Sequence, residues 1–492
     1  RESVKFTISE ETVREIDSET NEIMLIVEQF NERQVGSLTI QVRGEYLTDV
    51  IQEEQGIRPV YENRGIPNAT FEVYAKEDIY SPDEQGEILY HQNEKVKTIV
   101  SNENGNCIID ELPLGSYYIK QTQVGEGFVL NTEQKEIELT YAGEQQAISY
   151  ASVEYKNERQ KVNIILENKD QETKEAIKGG IFGLYTKEEI VYEESDGTIK
   201  TIPANTLVST QTTNEEGKII WNNENQIDLP LGHYEIRQIQ APEGYASNQE
   251  TIEIDASYQD QQISAIEKQV VFENVTTRIR IKLQDKETKQ GLAGANLRII
   301  DEEGNEIKSW TTDMTGEIIY KGLSYGKKYI LEEVEAREKY EKQLQYEELA
   351  GEIEGKLNEQ GNIEFILVDS MQEQQLTVMN LAKVGSLKIE KRGDVLIGTQ
   401  KDEEENIQFL YEKQNLSNAK FEIYASGNIE HPDGHTGVIF TKGMKIAEGI
   451  TNTEGLSITK VSEDISSKYI EEIQKLLETG LILGEYRIIE VK

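Results

Sequence analysis

A lysine and a glutamate in the last quarter of the chain occupy positions where buried chemistry is expected. Lys391 takes the third inward position of an alternating strand, after Leu387 and Ile389. Glu490 takes an inward position on a later strand of the same segment, which contains Tyr486. An amine enclosed by apolar side chains is costly unless a neighbouring group neutralises it. The pattern therefore predicts an amine and a carboxyl group that meet inside one small domain.

Three earlier segments repeat these strands without the lysine. The positions that correspond to Lys391 carry apolar or neutral side chains, namely Val42, Asn168 and Leu283. The positions that correspond to Glu490 carry Gln121, Gln238 and Glu333. A third inward position, on the closing strand, is always asparagine, as Asn157, Asn274 and Asn380, with Asn31 in a leading fragment. Buried polar side chains are usually hydrogen-bonded, so we interpret the polar members of the first three segments as core groups.

The strands that position these residues recur four times in the same order. Each repeat has a period-two strand that starts at a small residue, at 69–74, 180–185, 295–300 and 419–424. A turn that ends in glycine follows, and then a strand that contains Tyr117, Tyr234, Tyr329 or Tyr486. Short alternating strands between turn signals are typical of antiparallel β-sandwiches. The sequence predicts an all-β tandem array of such domains.

The repeats also predict where each domain begins and ends. The leading residues 1–35 are expected to be closing strands of a preceding sandwich. The predicted domains are 36–158, 159–276, 277–383 and 384–492, of which the last stops before its closing strands. An amphipathic helix is predicted at Ser462–Gly480, as an insert in the last domain. The links between domains are only a few residues long, so we expect semi-rigid joints.

Composition argues against several classes of partner. The chain has 51 Lys and Arg against 92 Asp and Glu, a net charge of −41, so it repels nucleic acid and anionic membrane surfaces. Cys107 is the single cysteine, which excludes an internal disulfide and a cysteine-based zinc site. Pro432 and Gly434 prevent His431 and His435 from pairing on a helix. We predict no metal, no cofactor and no membrane span in this segment.

Several motifs resemble those of one known family of surface domains. The most specific is Tyr234–Tyr245, which reads YEIRQIQAPEGY, and a weaker copy combines Tyr118–Gln121 with Gly127-Phe128. Ser81-Pro82-Asp83 and His431–Gly434 follow the Phe-x-x-Tyr strand in the first and fourth domains. With these motifs the chain resembles the B-type repeat of Gram-positive collagen adhesins, also called the SpaA-type or prealbumin-like pilin domain. The resemblance implies prealbumin-like, Ig-like sandwiches.

The resemblance also implies a covalent chemistry. In that family a first-strand Lys attacks a last-strand Asn while an acid on a middle strand shuttles protons, which gives an autocatalytic isopeptide cross-link. Only the fourth domain keeps Lys391 and Glu490, and its Asn would lie beyond Lys492. A plain buried ion pair is the alternative for these two residues. A further alternative is that strands donated by another copy bring Asn31 to Lys391, and a segment cut from a longer array explains the same facts more simply.

These observations predict a structural role outside the cell. The expected function is a stalk segment of a Gram-positive cell-surface protein or fibre that presents a distal adhesive tip. The expected partners are neighbouring domains of the same longer chain, with other copies in a fibre or a host ligand as alternatives. An adhesin whose modules bind a host or matrix ligand directly, and a head-to-tail fibre subunit joined by strand donation, remain open. No enzyme activity is expected, because no cleft-forming constellation recurs.

Overall fold

The computed structural model describes residues 15–16, 19, 23–24, 32–82, 86–225, 227–349, 351–458, 460–461 and 480–491. Within them the chain forms β-strands, with one 3-10 turn at Asn223–Asn225 and no α-helix. The leading fragment contains the hairpin of β1 (Glu15–Ile16) and β2 (Ile23–Met24). Residues 462–479 of the helix predicted at Ser462–Gly480 lie outside the described part, and Gly480 has no helical structure.

We number the predicted domains 1 to 4 in chain order. The strands of domain 1 are β3 (Val35–Glu53), β4 (Gly56–Gly65), β5 (Thr70–Ala75), β6 (Ile79–Tyr80), β7 (Ile88–Tyr90), β8 (Lys95–Val100), β9 (Asn106–Leu112), β10 (Gly115–Gln123), β11 (Lys135–Leu139) and β12 (Ile148–Asn157). One sheet has the order β11-β10-β5-β8, and the other combines β9, β3 and β12. Side chains from both sheets share one buried core.

Domain 2 repeats this arrangement. Its strands are β13 (Lys161–Asp170), β14 (Ile181–Thr186), β15 (Ile190–Glu193), β16 (Ile199–Ile202), β17 (Leu207–Thr212), β18 (Lys218–Trp221), β19 (Gly232–Gln240), β20 (Thr251–Ala256) and β21 (Ala265–Asn274). One sheet has the order β18-β13-β21, and the other contains β17-β14-β19-β20. The predicted array of all-β sandwiches is therefore confirmed.

Domains 3 and 4 follow the same plan with different edges. Domain 3 has β22 (Arg278–Asp285), β23 (Asn296–Ile300), β24 (Glu306–Thr311), β25 (Glu317–Lys321), β26 (Lys328–Glu335), β27 (Gly355–Leu357), β28 (Ile363–Ile366) and β29 (Gln374–Asn380). Domain 4 has β30 (Val384–Gly385), β31 (Lys388–Glu390), β32 (Arg392–Lys401), β33 (Ile407–Asn415), β34 (Lys420–Ala425), β35 (Ile429–Glu430), β36 (Val438–Phe440), β37 (Lys445–Ile450), β38 (Leu456–Ile458), β39 (Lys460–Val461), β40 (Leu481–Ile482) and β41 (Tyr486–Val491). Its largest described sheet has the order β39-β37-β34-β41.

The sandwiches are mixed and not purely antiparallel as predicted. In each of the first three domains the opening and closing strands are neighbours and run parallel, as in β3 with β12, β13 with β21, and β22 with β29. The prediction was wrong on this point because alternation determines which face a side chain takes and carries no information on strand direction. The parallel register places Asn168 opposite Phe272 and Leu283 opposite Val378.

The cores are formed by strands in which buried and exposed side chains alternate strictly. Along β13 every second side chain is buried, including Val162, Ile164 and Leu166, as the period of two requires. Domains 1 and 2 each have a separate buried cluster. The apolar core of domain 3 instead continues into domain 4, where it includes Ile423 and Phe440.

A long hairpin connects domain 1 to domain 2. The second half of β3 leaves its sandwich and pairs with β4, from Arg43 opposite Gly65 to Glu53 opposite Gly56. Gly56 then pairs with Ser209 on β17, so that one sheet runs from domain 1 into domain 2. This hairpin was not predicted from the sequence.

Candidate functional site

Lys391 and Glu490 meet in domain 4, as the alternation predicted. The Lys391 Nζ atom donates a hydrogen bond to Glu490 Oε2 at 2.8 Å. The two side chains are 30% and 47% exposed, so the pair is more open than the buried site that the sequence predicted. In the part of domain 4 that the structure describes, β31 pairs with β38 and has no parallel closing strand beside it. A half-exposed ion pair of this kind contributes little to stability by itself.

Domain 3 assembles the acid and the amide without the amine. Asn380 Nδ2 donates to Glu333 Oε1 at 2.6 Å, and both side chains are almost fully buried. Burial raises the pKa of Glu333, while the hydrogen bond from Asn380 acts in the opposite direction. Leu283 is completely buried on the opening strand at the position of the missing lysine. The site is therefore a buried acid beside an amide, with an apolar residue in place of the nucleophile.

Domains 1 and 2 replace the acid with glutamine. In domain 1 Gln121 Nε2 donates to Asn157 Oδ1 at 3.0 Å, and Asn157 Nδ2 donates back to Gln121 Oε1 at 2.7 Å. In domain 2 Gln238 and Asn274 exchange the same two bonds at 3.1 and 3.3 Å. These amide pairs are hydrogen-bonded core groups.

The remaining predicted positions are buried or undescribed. Val42 is completely buried on β3, as a part of the core of domain 1. Asn168 is also completely buried, and its Nδ2 donates to the carbonyl of Ile177 at 3.4 Å. Asn31 lies outside the described residues, so its approach to Lys391 stays a prediction.

The buried acid in domain 3 makes a stability prediction possible. A carboxyl with a raised folded pKa contributes stability below its unfolded pKa, and that stability is lost as the pH rises. We expect Glu333→Gln to stabilise domain 3 at pH 8 by about 1–3 kcal/mol, because glutamine restores the amide pair and removes a buried charge. Hydrogen exchange of β26 and β29 measures this change. Glu335→Gln, at an exposed position of the same strand, is the control, and equal exchange in both variants would contradict the prediction.

The joint between domains 1 and 2 contains a site that sequence reasoning missed. Arg159, in the link, is 6% exposed and forms ion pairs with Asp228 and, at 3.7 Å, with Glu45. Its guanidinium lies 3.8 Å from the centroid of the Tyr61 ring. Tyr61 donates to the Asp228 carbonyl at 3.2 Å, and burial raises the pKa of Tyr61. The repeated link sequence, Asn-Glu-Arg-Gln at 31–34 and 157–160, was the available signal.

The most specific family motif lies at the joint between domains 2 and 3. Gly244 has φ +82, and an added Cβ there would lie 2.8 Å from the carbonyl oxygen of Gly322 in domain 3, so glycine is required for the close approach. The Gly244 carbonyl accepts a bond from Thr277 Oγ1 at 3.1 Å, and Ser247 N donates to Asp369 Oδ1 at 2.8 Å. The motif thus connects two domains.

A second family motif forms the joint between domains 3 and 4. The side chains of His431 and Asp433 are completely buried, with Nδ1 of the histidine 3.2 Å from Oδ2 of the aspartate. Thr288 Oγ1 of domain 3 donates to the same Oδ2 at 2.9 Å, and Arg337 Nε donates to the Pro432 carbonyl at 3.0 Å. This turn is therefore shared between two domains.

The described residues contain no group of three or more His, Cys, Asp or Glu side chains arranged to hold a metal ion. In this part of the chain, no helix has the length and apolar character that crossing a membrane requires.

Comparison with known proteins identifies the domain type. A family model described as "SpaA: Prealbumin-like fold domain" matches residues 60–153, 162–269 and 277–377. No curated protein sequence matches the chain.

Several solved structures match parts of this chain at low identity. The Bacillus anthracis TIE protein is 21% identical over 70% of this chain, with a TM-score of 0.43, and the match spans 51% of that protein's chain. BcpA, the major pilin subunit of Bacillus cereus, is 14% identical over 71% of this chain and 100% of its own, with a TM-score of 0.31. The major pilin SpaD from Corynebacterium diphtheriae is 13% identical over 72% of this chain and 99% of its own, with a TM-score of 0.27. Because the family model covers more than half of the chain in three consecutive blocks, this protein belongs to the SpaA family of prealbumin-like fold domains.

Proposed function

We propose that the chain is a stalk segment of a Gram-positive cell-surface protein or fibre and presents a distal adhesive tip. Its role is mechanical and no substrate is turned over. The observation that supports this proposal best is the extensive contact between consecutive domains. Domains 1 and 2 share a sheet, and domains 3 and 4 share an apolar core. A stalk must fix the orientation of its domains relative to one another as well as supply length. Sheets and cores that two domains share resist bending at the joint between them.

The first joint gives the strongest support. The hairpin of β3 and β4 adds a strand to the sheet of domain 2, and Arg64 Nη1 donates to the Glu193 carbonyl at 3.1 Å. Ile57 of the hairpin packs against the core of domain 2. These contacts restrain both the tilt and the twist of domain 2 relative to domain 1.

Scattering and hydrogen exchange of the whole chain test this proposal. We expect Arg159→Ala to weaken the first joint by about 3 kcal/mol, since Asp228 loses its buried partner. The pair-distance distribution from small-angle X-ray scattering should broaden, and amide exchange in β4 should accelerate about 100-fold. The matched control is Arg58→Ala, because Arg58 pairs with Glu53 inside the hairpin and both side chains are exposed. A wild-type chain that already scatters as freely jointed domains would overturn the stalk proposal.

The same proposal includes a cross-link in domain 4 of the intact protein. The Nζ lone pair of Lys391 would attack the side-chain carbonyl carbon of an asparagine and form a C–N bond. Glu490 would pass the amine proton to the departing nitrogen, which leaves as ammonia. The contact of 2.8 Å between Lys391 and Glu490 supports this assignment of roles. Asn31 of another copy is the candidate asparagine within this sequence.

One observation favours the adhesin as a second candidate function. The hairpin of β32 and β33 exposes Phe409 and Tyr411, which are 58% and 60% accessible. Exposed aromatic side chains are enriched where proteins bind partners. An adhesin would use this hairpin to contact a host or matrix ligand directly.

A further inference from the structure

A cleft separates two hairpins at the joint between domains 1 and 2. Its volume of about 890 Å³ lies within the range of about 300–1,000 Å³ that is usual for ligand sites. One wall is the hairpin of β3 and β4 with the turn before β9, and the other is the hairpin of β15 and β16. The two domains are consecutive, so the next domain along the chain is already one of the walls.

Hydrogen bonds between the two walls hold the cleft open at a fixed width. Arg64 Nη1 on β4 donates to the carbonyl of Glu193 on β15 at 3.1 Å. Ser195 Oγ, in the turn after β15, donates to Glu62 Oε2 at 2.5 Å. The cleft is therefore preformed, and a preformed site avoids the entropic cost of ordering its walls when a ligand binds.

Three asparagines line this cleft with amide groups that are free to bind a ligand. The side chains of Asn63, Asn104 and Asn106 form no hydrogen bond with any residue that the structure describes. Asparagines elsewhere differ, since Asn102 Oδ1 and Asn214 Oδ1 each accept bonds from backbone amides of their own turns. A free amide group offers both donors and an acceptor, which is what a hydroxyl group needs in a partner.

Arg43 adds an unpaired positive charge to the lining. Most arginines in the described ranges form an ion pair with a carboxylate, as Arg280 and Arg298 do. Arg43 has neither an ion pair nor a side-chain hydrogen bond within the same ranges. This is unusual in a chain with 92 Asp and Glu against 51 Lys and Arg. An unpaired guanidinium matches the planar geometry of a carboxylate.

The cleft at the joint between domains 2 and 3 shows the contrast. It is larger, at about 1190 Å³, but both of its lysines already have partners in its own lining. Lys178 pairs with Glu215 at 3.0 Å, and Lys327 pairs with Glu243 at 2.5 Å. An unpaired cation therefore distinguishes the first cleft from the second.

The wall from domain 2 supplies an apolar surface. Val191 and Ile199 share one face of the β15–β16 hairpin, because Ile199 lies opposite Glu193, two residues along the strand from Val191. They are 60% and 62% exposed. The half-buried Tyr46 lies on the wall from domain 1. A sugar ring presents a face of C–H groups and a rim of hydroxyls, which fits an apolar wall beside free amides.

We propose that this cleft binds an oligosaccharide that carries a carboxylate. Its hydroxyls would bond to the three amides, its carboxylate would pair with Arg43, and a C–H face would lie on the exposed apolar side chains. Glu103 and Glu193 also line the cleft, so a densely charged polyanion is repelled. The ligand class is a glycan with isolated uronic or sialic acid residues. This site goes beyond the stalk role, which needs no ligand and is tested separately by scattering.

A glycan array incubated with the labelled whole chain tests the proposal. The array contains animal oligosaccharides with sialic or glucuronic acid, uronic acid polysaccharides from bacterial cell walls, and each of these with its carboxyl reduced to an alcohol. We expect binding to acidic members that weakens at least tenfold after reduction, and the set that binds identifies the source. Lack of binding to every acidic member, or equal binding to the reduced forms, would overturn the proposal.

Variants at accessible side chains assign the binding to this cleft. By isothermal titration, Arg43→Gln should bind the acidic glycan only as well as the reduced form, and Ile199→Ser should weaken both forms by a similar factor. Arg298→Gln and Ile108→Ser, at an isoleucine that is 57% exposed on β9, are the matched controls and should bind as the wild type does. Unchanged hydrogen exchange in β3 and β15 verifies folding. Wild-type affinity in both cleft variants would contradict the proposal.

Discussion

Leu283→Lys is expected to lower the mass of the chain by about 17 Da beyond the substitution itself, through the loss of one ammonia. The substitution supplies the nucleophile that domain 3 lacks. Glu333 and Asn380 already form a buried hydrogen bond at 2.6 Å, and burial favours the neutral form of the acid. The same surroundings lower the pKa of an introduced amine, so a free lone pair is available for attack on the amide.

The bond would also stabilise domain 3. It would close a loop of about 100 residues, for which chain-entropy reasoning on cross-links gives about 4–5 kcal/mol. Thermal unfolding followed by hydrogen exchange should show this gain in β22 and β29. Without the bond, a lysine among apolar side chains would destabilise the domain by several kcal/mol.

Two matched controls separate chemistry from packing. Leu283→Lys combined with Glu333→Gln retains the amine and the amide without the acid, and its mass should change only by the substitutions. Val42→Lys places an amine at the same position of domain 1, where Gln121 replaces the acid, and should remain unlinked. A Leu283→Lys chain of unlinked mass whose domain 3 is folded by hydrogen exchange would refute the expectation that Glu333 and Asn380 can support the cross-link.

Alternation in the sequence was sufficient to place the inward positions of the first three domains, but in domain 4 Lys391 and Glu490 are more exposed than it predicted. It put Val42, Asn168 and Leu283 at equivalent positions, and all three are completely buried. It also put Glu333 and Asn380 at inward positions, and both are buried and hydrogen-bonded to each other. This succeeds because the period of a strand determines the face on which each side chain lies.

The joints could not be predicted in the same way. Tyr61 and Tyr411 occupy equivalent positions, yet one is covered by the next domain and the other is exposed. Alternation predicts which side chains of a strand face the core of its own domain. It carries no information on which side chains a neighbouring domain covers. The motif at His431–Gly434 was recognised as a family feature, but its contact with Thr288 depends on the path of the chain across 145 residues.

Asp433→Ala is expected to open the joint between domains 3 and 4. The buried carboxylate accepts hydrogen bonds from Thr288, from the Thr436 hydroxyl, and from the backbone amides of His435 and Thr436. Truncation leaves these donors and His431 without their partner. Breaking a buried charged network costs about 3–5 kcal/mol.

Hydrogen exchange measures the change in the strands of domain 4, whose core is continuous with that of domain 3. Amides in β34 and β37 should exchange about two to three orders of magnitude faster in the variant. Asp402→Ala is the control, because Asp402 caps an exposed turn through bonds to Glu404 N and Asn406 N. Similar exchange in both variants would mean that the joint does not depend on Asp433.

The joint should also weaken in acid. The hydrogen bonds to Asp433 outweigh its burial and hold its pKa far below the usual range. A carboxyl group whose pKa is lower in the folded than in the unfolded protein stabilises the fold at pH values above its unfolded pKa of about 4. That stability is lost as the pH falls further. The groups that face the site from the packed elements are His431, His435, Arg337, Tyr340 and Asp285. Exchange in β34 should therefore accelerate between pH 4 and pH 2 in the wild type, with a weaker dependence in Asp433→Asn, because asparagine has no charge to lose.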